Sequence, residues 1–219
     1  MLNKTRLIMH VFIAMLPIRI KRSAYRHLFG WEIDDTARIG FSIMNVRDVY
    51  LGPNTRIGHF SVFMNLQRLH LANNSRIGQW NWCSAAPLFS SSGQNEAATL
   101  VLGEHAAITI RHYLDCSGGI SIGAFSVFGG VKSTVLTHQV DTVESRQTTS
   151  PVQIGEYCFI GSDVRITSGS QIPDRCIVAM GAVVAGQLAE EGMLYGGVPA
   201  KPIKPVEGEF FKRSVGFVR

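Results

Sequence analysis

The first thirty residues contain no acid. Lys4, Arg6, Arg19, Lys21, Arg22 and Arg26 give that segment a local charge of +6, against +5 for the whole chain. The remaining 189 residues hold 15 basic and 16 acidic side chains, so the body is near neutral. That balance argues against a nucleic-acid-binding surface on the main body. Charged residues are sparse overall, at 17%, while hydrophobic residues reach 46%. A disordered chain is excluded, and 219 residues suffice for one well-packed domain or two small ones. The apolar run "LIMHVFIAMLPIRI" (7–20) is shorter than the roughly 20 residues of a spanning helix, and Pro17 interrupts it. No A-x-A-like cleavage site follows, as a signal peptide would require. Basic residues on both sides of the run suit a helix lying on an anionic membrane surface; a helix packed on the body is the other reading. Cys83, Cys116, Cys158 and Cys176 form no C-x-x-C pair, so neither a zinc site nor a redox motif is indicated.

Apolar spacings of three and four are absent from the main body, and an amphipathic helix would need them. A six-residue period stands in their place. From Ile154 the chain reads IGEYCF, IGSDVR, ITSGSQ, IPDRCI, VAMGAV, VAGQLA. The first place is Ile154, Ile160, Ile166, Ile172, Val178 and Val184. The fifth is Cys158, Val164, Ser170, Cys176 and Ala182, all small or compact, until Leu188 ends the run. Earlier fragments keep the beat at Leu51-Gly52, Ile57-Gly58, Ile77-Gly78, Leu102-Gly103 and Ile122-Gly123. A short strand followed by a tight corner every six residues gives three flat sides per 18-residue coil. One aliphatic per side points inward, and the coils stack at about 4.8 Å. Small residues in the fifth place fit inside the corner.

These hexads resemble the hexapeptide-repeat, or isoleucine-patch, acyltransferase family. The resemblance covers roughly residues 36–206 and is most specific over 115–204. It implies an all-β fold, a left-handed parallel β-helix over 31–206, with loop excursions near 84–98 and 134–151. A basic helical arm (1–30) precedes it and a short tail (207–219) follows. Cys158 and Cys176 are 18 apart, one full coil. Their stacking leaves two readings open, a disulfide or two small residues filling corners.

"YGGVPAKPIKPV" (195–206) resembles the G-x-P-A-K/R element closing the coil in the sugar and polysaccharide O-acetyltransferase branch. That branch uses acetyl-CoA in a groove between subunits of a homotrimer. The resemblance implies that Pro199, Ala200 and Lys201 flank its nucleotide end, while Ser162, Ala179 and Gly181 line the pantetheine arm. Small residues leave a channel for a slim ligand, and a lysine offers phosphate a point charge.

Ile122 and Ile154 are 32 apart, which is not a multiple of six, so a loop leaves the coil between them. "THQVD" (137–141) in that loop is similar to the T/S-x-H-x-x-D segment of maltose, galactoside and polysaccharide O-acetyltransferases, where the histidine is the general base. The reaction needs such a group, because a sugar hydroxyl attacks a thioester only as its proton is removed. The expectation is direct transfer, with His138 as base and backbone N–H groups stabilising the oxyanion. Asp115, in "HYLDCSGGISIG" (112–123), matches an acid or amide that contacts the acceptor or orients the base. Gln139 replaces a proline of the small-sugar enzymes and Phe159 a common tryptophan. The basic arm and "SAAPLFSSSGQNEAA" (84–98) have no counterpart there. These departures point to a polysaccharide or lipid-linked sugar acceptor handled in the cytoplasm, on the inner face of a membrane that residues 1–30 touch, with no nucleic-acid partner. Trp80 and Trp82 either stack on a sugar ring or pack against the arm. Two other readings stand: a non-catalytic scaffold trimer, and a γ-carbonic-anhydrase-like zinc enzyme using His105, His112 and His138, which lack the close histidine pair of that class.

Overall fold

Aliphatic residues recurring every six positions can all be buried only if the chain turns after each one, and that is what it does. A computed structural model describes residues 4–90 and 97–216 of the chain, a triangular coil with three flat faces. The first face stacks Arg38–Ile39, Arg56–Ile57, Arg76–Ile77, Ala107–Ile108, Val127–Phe128, Phe159–Ile160 and Ile177–Val178 in parallel register. The second face carries Trp82–Ser84, Tyr113–Asp115, Thr134–Val135, Arg165–Ile166 and Val183–Val184. The third carries Thr99–Leu102, Ile120–Ile122, Val152–Ile154 and Gln171–Ile172. In the two N-terminal coils the longer strands Ile43–Leu51 and Val62–Leu71 run through both the second and third faces.

The expected ladders are the core. Ile154, Ile160, Ile166, Ile172, Val178 and Val184 are each at most 3% exposed, and Cys158, Val164, Ser170, Cys176 and Ala182 are all at 0%. Burying one such aliphatic contributes roughly 1.5–3 kcal/mol. All four cysteines are buried and free, which settles Cys158 and Cys176 as corner fillers; burial pushes the Cys158 thiol up to about 12. At the corner between the third and first faces, Asn54, Asn74, His105, Phe125, Tyr157 and Arg175 adopt left-handed φ of +54° to +60°. Stacking along this ladder offsets the backbone cost, with His105–Phe125 centroids at 4.9 Å and Phe125–Tyr157 at 4.8 Å. Glycine is required where coils approach most closely: a Cβ on Gly123 would stand 2.5 Å from the Gly155 carbonyl carbon.

The arm forms two helices, α1 (Lys4–Met15) and α2 (Ile18–Phe29), separated at Pro17 as its missing N–H and fixed φ dictate. Ile13, Tyr25 and Trp31 join the core cluster, so the arm packs on the body and covers the open N-terminal end of the coil. Its cations bind backbone oxygens that the first coil leaves unpaired. Lys21 Nζ donates to Ile39 O (3.2 Å) and Gly40 O (2.8 Å), Arg26 Nε to Ile33 O (2.9 Å), and Arg6 to Val46 O (2.8 Å). At the other end Lys201–Pro205 folds back antiparallel on Met193–Gly196, and its prolines deny a further strand a ladder of donors. In the 84–98 excursion a helical turn, Pro87–Ser90, is followed by residues outside the described set; 1–3 and 217–219 also lie outside it.

Candidate active site

Both excursions leave the coil at one corner, where the second face passes into the third. The chain entering the second lies against the strand Tyr113–Asp115. Thr137, wholly buried, anchors it there. Its hydroxyl lies 2.8 Å from Asp115 O and 3.1 Å from Asp115 Oδ2, and accepts from Gly118 N–H at 2.7 Å. Beyond it, His138–Asp141 pairs antiparallel with Arg146–Thr149, and Asp141 Oδ1 closes the hairpin by accepting from Val143 and Glu144 N–H.

This root places His138 on Asp115. His138 Nδ1 lies 2.8 Å from Asp115 Oδ2, and the same oxygen accepts from Thr137 N–H at 2.8 Å and His138 N–H at 3.2 Å. Oδ1 accepts from Ser117 Oγ at 2.6 Å and Ser117 N–H at 3.3 Å. Burial by itself would raise the Asp115 carboxyl; the hydrogen bonds from Ser117, His138 and Thr137 outweigh it and hold the group below its ordinary value. A carboxylate on Nδ1 fixes the tautomer that leaves Nε2 as the acceptor nitrogen. Nε2 has no protein partner among the described residues, and the His138 side chain is 38% exposed. The pair can take a proton from a ligand. The geometry puts Asp115 in contact with the histidine, the arrangement that the second of its two roles requires.

The other expected residues gather at the corner between the first and second faces. Gly181 N–H donates to Ser162 O (3.0 Å), Ala179 N–H to Tyr195 O (2.8 Å) and Ala200 N–H to Val183 O (2.7 Å). Ser162 Oγ accepts from Val131 N–H at 3.2 Å. Gly181 has φ +75°, and a Cβ there would meet nothing within 4 Å. Pro199 and Lys201 are exposed, and Lys201 forms no ion pair among the described residues. Open space, small side chains and a free cation on successive coils fit a thin, phosphate-bearing ligand. One chain does not bring this group to His138. They stand on opposite edges of the second face, about four extended residues or 13 Å apart.

The three histidines weighed as zinc ligands do not converge. His105 stacks on Phe125 at another corner, and His112 is buried edge-on to Phe128, with Nδ1 accepting from Ser133 N–H and Nε2 3.0 Å from Thr109 Oγ1. Burial pushes His112 down to about 4. Trp80 and Trp82 do not pack on the arm. Trp80 is 54% exposed and stacks on Phe60, while the arm's aromatic cluster is His10, Tyr25, Phe29 and Trp31. Sequence reasoning passed over Thr137 and Ser117, although T-H and D-x-S place a hydroxyl beside each dyad member. It also passed over a cationic row on the first face, written plainly as R-I-G at 38–40, 56–58 and 76–78.

No protein-family model and no curated protein matches the sequence. Solved structures do resemble the fold. The polysialic acid O-acetyltransferase OatWY superposes with a TM-score of 0.60 at 19% identity, over 81% of this chain and 86% of that one. The chain has the hexapeptide-repeat β-helix fold. A hexapeptide-repeat acetyltransferase from Vibrio cholerae matches with a TM-score of 0.52 at 18% identity, covering 93% of this chain and 89% of that one. An N-acyltransferase from Bacillus cereus, in complex with dTDP and coenzyme A, matches with a TM-score of 0.51 at 14% identity, over 87% and 91%. The hexapeptide-repeat coil here is left-handed, as in those neighbours. Six-residue spacing alone could not give that handedness, which opposes the usual right-handed crossover.

Proposed function

We propose that this protein is an acetyl-CoA-dependent O-acetyltransferase acting on a carbohydrate hydroxyl in surface polysaccharide or glycolipid assembly. The observation that carries the reading is the 2.8 Å contact between His138 Nδ1 and buried Asp115, with Nε2 left open to a ligand. Nε2 removes the proton from the acceptor hydroxyl as its oxygen attacks the thioester carbonyl. Asp115 stabilises the imidazolium so formed. Collapse of the tetrahedral intermediate breaks the carbon–sulfur bond, and the imidazolium returns the proton to the departing thiolate of CoA. The fold shared with acetyltransferases, and with a structure that holds coenzyme A, supports the donor assignment.

The separation of about 13 Å across the second face supports a shared site. Proton transfer needs contact at roughly 3 Å, so His138 of one subunit meets the Gly181 groove of another in a trimer. No helix among the described residues is long and apolar enough to cross a membrane. Ile8, Phe12 and Met15 stand exposed along α1, and with the arm's cations they support peripheral contact on the cytoplasmic side.

The test is CoA release across nucleotide sugars, oligosaccharides and lipid-linked sugars, for wild type and His138→Ala. The variant should lose roughly 10² to 10⁴ in rate. An undiminished rate removes His138 from the mechanism. Absence of release from wild type with every acceptor favours a scaffold.

A further inference from the structure

The first face carries a row of arginines that the dyad does not use. Arg38, Arg56 and Arg76 are direct register partners on three successive coils, about 4.8 Å apart. All three are exposed, and none has a side-chain hydrogen bond or ion pair among the described residues. Like charges directly opposite one another in a sheet are destabilising. Arg19 and Arg22 of α2 overhang the row, closing a groove of about 990 Å³. Its single acid, Asp35, is held by Arg26 at 2.8 Å. Five cations therefore share one groove with no free counterion, and of them Arg22 is already tied to the Asp35 and Ala37 carbonyls.

A second row runs beside the first. At the corner following each arginine stands an aromatic ring: Phe41 after Arg38, Phe60 after Arg56, Trp80 after Arg76. The rings are exposed and in contact, with centroids 5.8 Å apart for Phe41–Phe60 and 4.6 Å for Phe60–Trp80. Arg111 and Lys132, also exposed and without an ion pair, continue the same corner on the next two coils. Each N-terminal coil thus repeats one cation and, three or four residues on, one aromatic ring.

We infer that these two rows bind an acidic polysaccharide, about one sugar per coil. This rests on the proposed carbohydrate acceptor and names its class. The ring column gives the sugars' C–H edges an apolar rim, guanidinium groups pair with the acid groups, and the coil spacing approximates the length of one pyranose residue. A groove beneath a helix admits a polymer chain and not a planar bilayer. The strip holds the chain while one of its residues reaches a dyad.

Fluorescence anisotropy on the full chain, without acetyl-CoA, tests this with labelled oligogalacturonates and α2,8-linked oligosialic acids of two to eight residues. Maltooligosaccharides of equal length are the neutral controls. Affinity should rise with length through four residues, one per coil from Arg38 to Arg111, and neutral chains should bind about tenfold more weakly or worse. Arg56→Gln and Trp80→Ala should each weaken acidic-chain binding about tenfold. Arg56→Gln should not lower the melting temperature, because it relieves repulsion between its neighbours. Binding of neither acidic series, equal binding of neutral chains, or indifference to Arg56→Gln overturns the inference. So does Arg56-dependent binding of single-stranded DNA or anionic vesicles in place of glycans. Because binding is read without donor, a protein that binds these chains yet releases no CoA once acetyl-CoA is supplied keeps the strip and loses the acetyltransferase reading. One that acetylates them with Arg56 irrelevant to binding does the reverse.

Discussion

Asp115 is a buried carboxylate that stays ionised because every donor around it comes from two short stretches, Ser117 and Thr137–His138. Its folded value lies below the ordinary one, near 3.9. The stabilisation it provides is therefore complete above pH 4 and is lost as pH falls through the lower folded value. Asp115→Asn keeps the shape and removes the charge that opposes the imidazolium. In a CoA-release assay it should cost roughly 10²-fold in kcat. A rate within twofold of wild type would leave Asp115 a purely structural acid. Both dyad members were legible as residues, through the motif around His138 and the "HYLDCSGG" segment. Their pairing was one of the two readings that the resemblance left open for Asp115. They are 23 positions apart, and they meet only because Tyr113–Asp115 and Thr134–Val135 are adjacent rungs and the hairpin turns back across them.

The coil was readable because its period is strict, whereas α1 was readable as a helix but not for its inner face. Apolar residues occupy nearly every position from Leu7 to Met15, so periodicity could not say which side the body covers. His10 turns out to be inside, stacked on Phe29 at 4.4 Å and Trp31 at 5.6 Å, with neither ring nitrogen hydrogen-bonded. Burial, then the Arg6 charge, lowers it to about 4. Between pH 4 and 6.5 the unfolded chain binds the proton that folded His10 refuses, so stability falls as pH drops through that window. His10→Phe removes the unpaired nitrogens and the titration together. Its melting temperature should rise by about 2–4 °C at pH 7 and fall less between pH 6.5 and 4.5. The outer side of the same helix carries Ile8, Val11, Phe12 and Met15, spaced at three and four. Phe12→Ser should weaken flotation with anionic vesicles while leaving the melting temperature within a degree or two. Equal flotation would leave the stripe without a membrane role.

At the scale of the whole molecule, two candidate half-sites lie on two edges of one face. The Gly181 edge follows from small residues in the repeat and was legible in the sequence. The His138 edge follows from the break in that repeat. Their separation was invisible, because the width of a face emerges only once the chain closes into a triangle. If the reaction joins a histidine from one subunit to a groove from the next, two inactive variants should restore each other. His138→Ala abolishes the base and keeps the groove. Gly181→Trp fills the groove, where a Cβ meets nothing within 4 Å, and keeps the base, at the cost of a side chain on a left-handed φ of +75°. In trimers assembled at random from equal amounts of both, about a quarter of the interfaces pair an intact histidine with an intact groove. Co-expressed protein should recover about that fraction of wild-type CoA release, and separately purified variants mixed without subunit exchange should recover none. Failure of the co-expressed mixture, with trimers present by light scattering, would mean that each chain completes its own site by a movement across the second face.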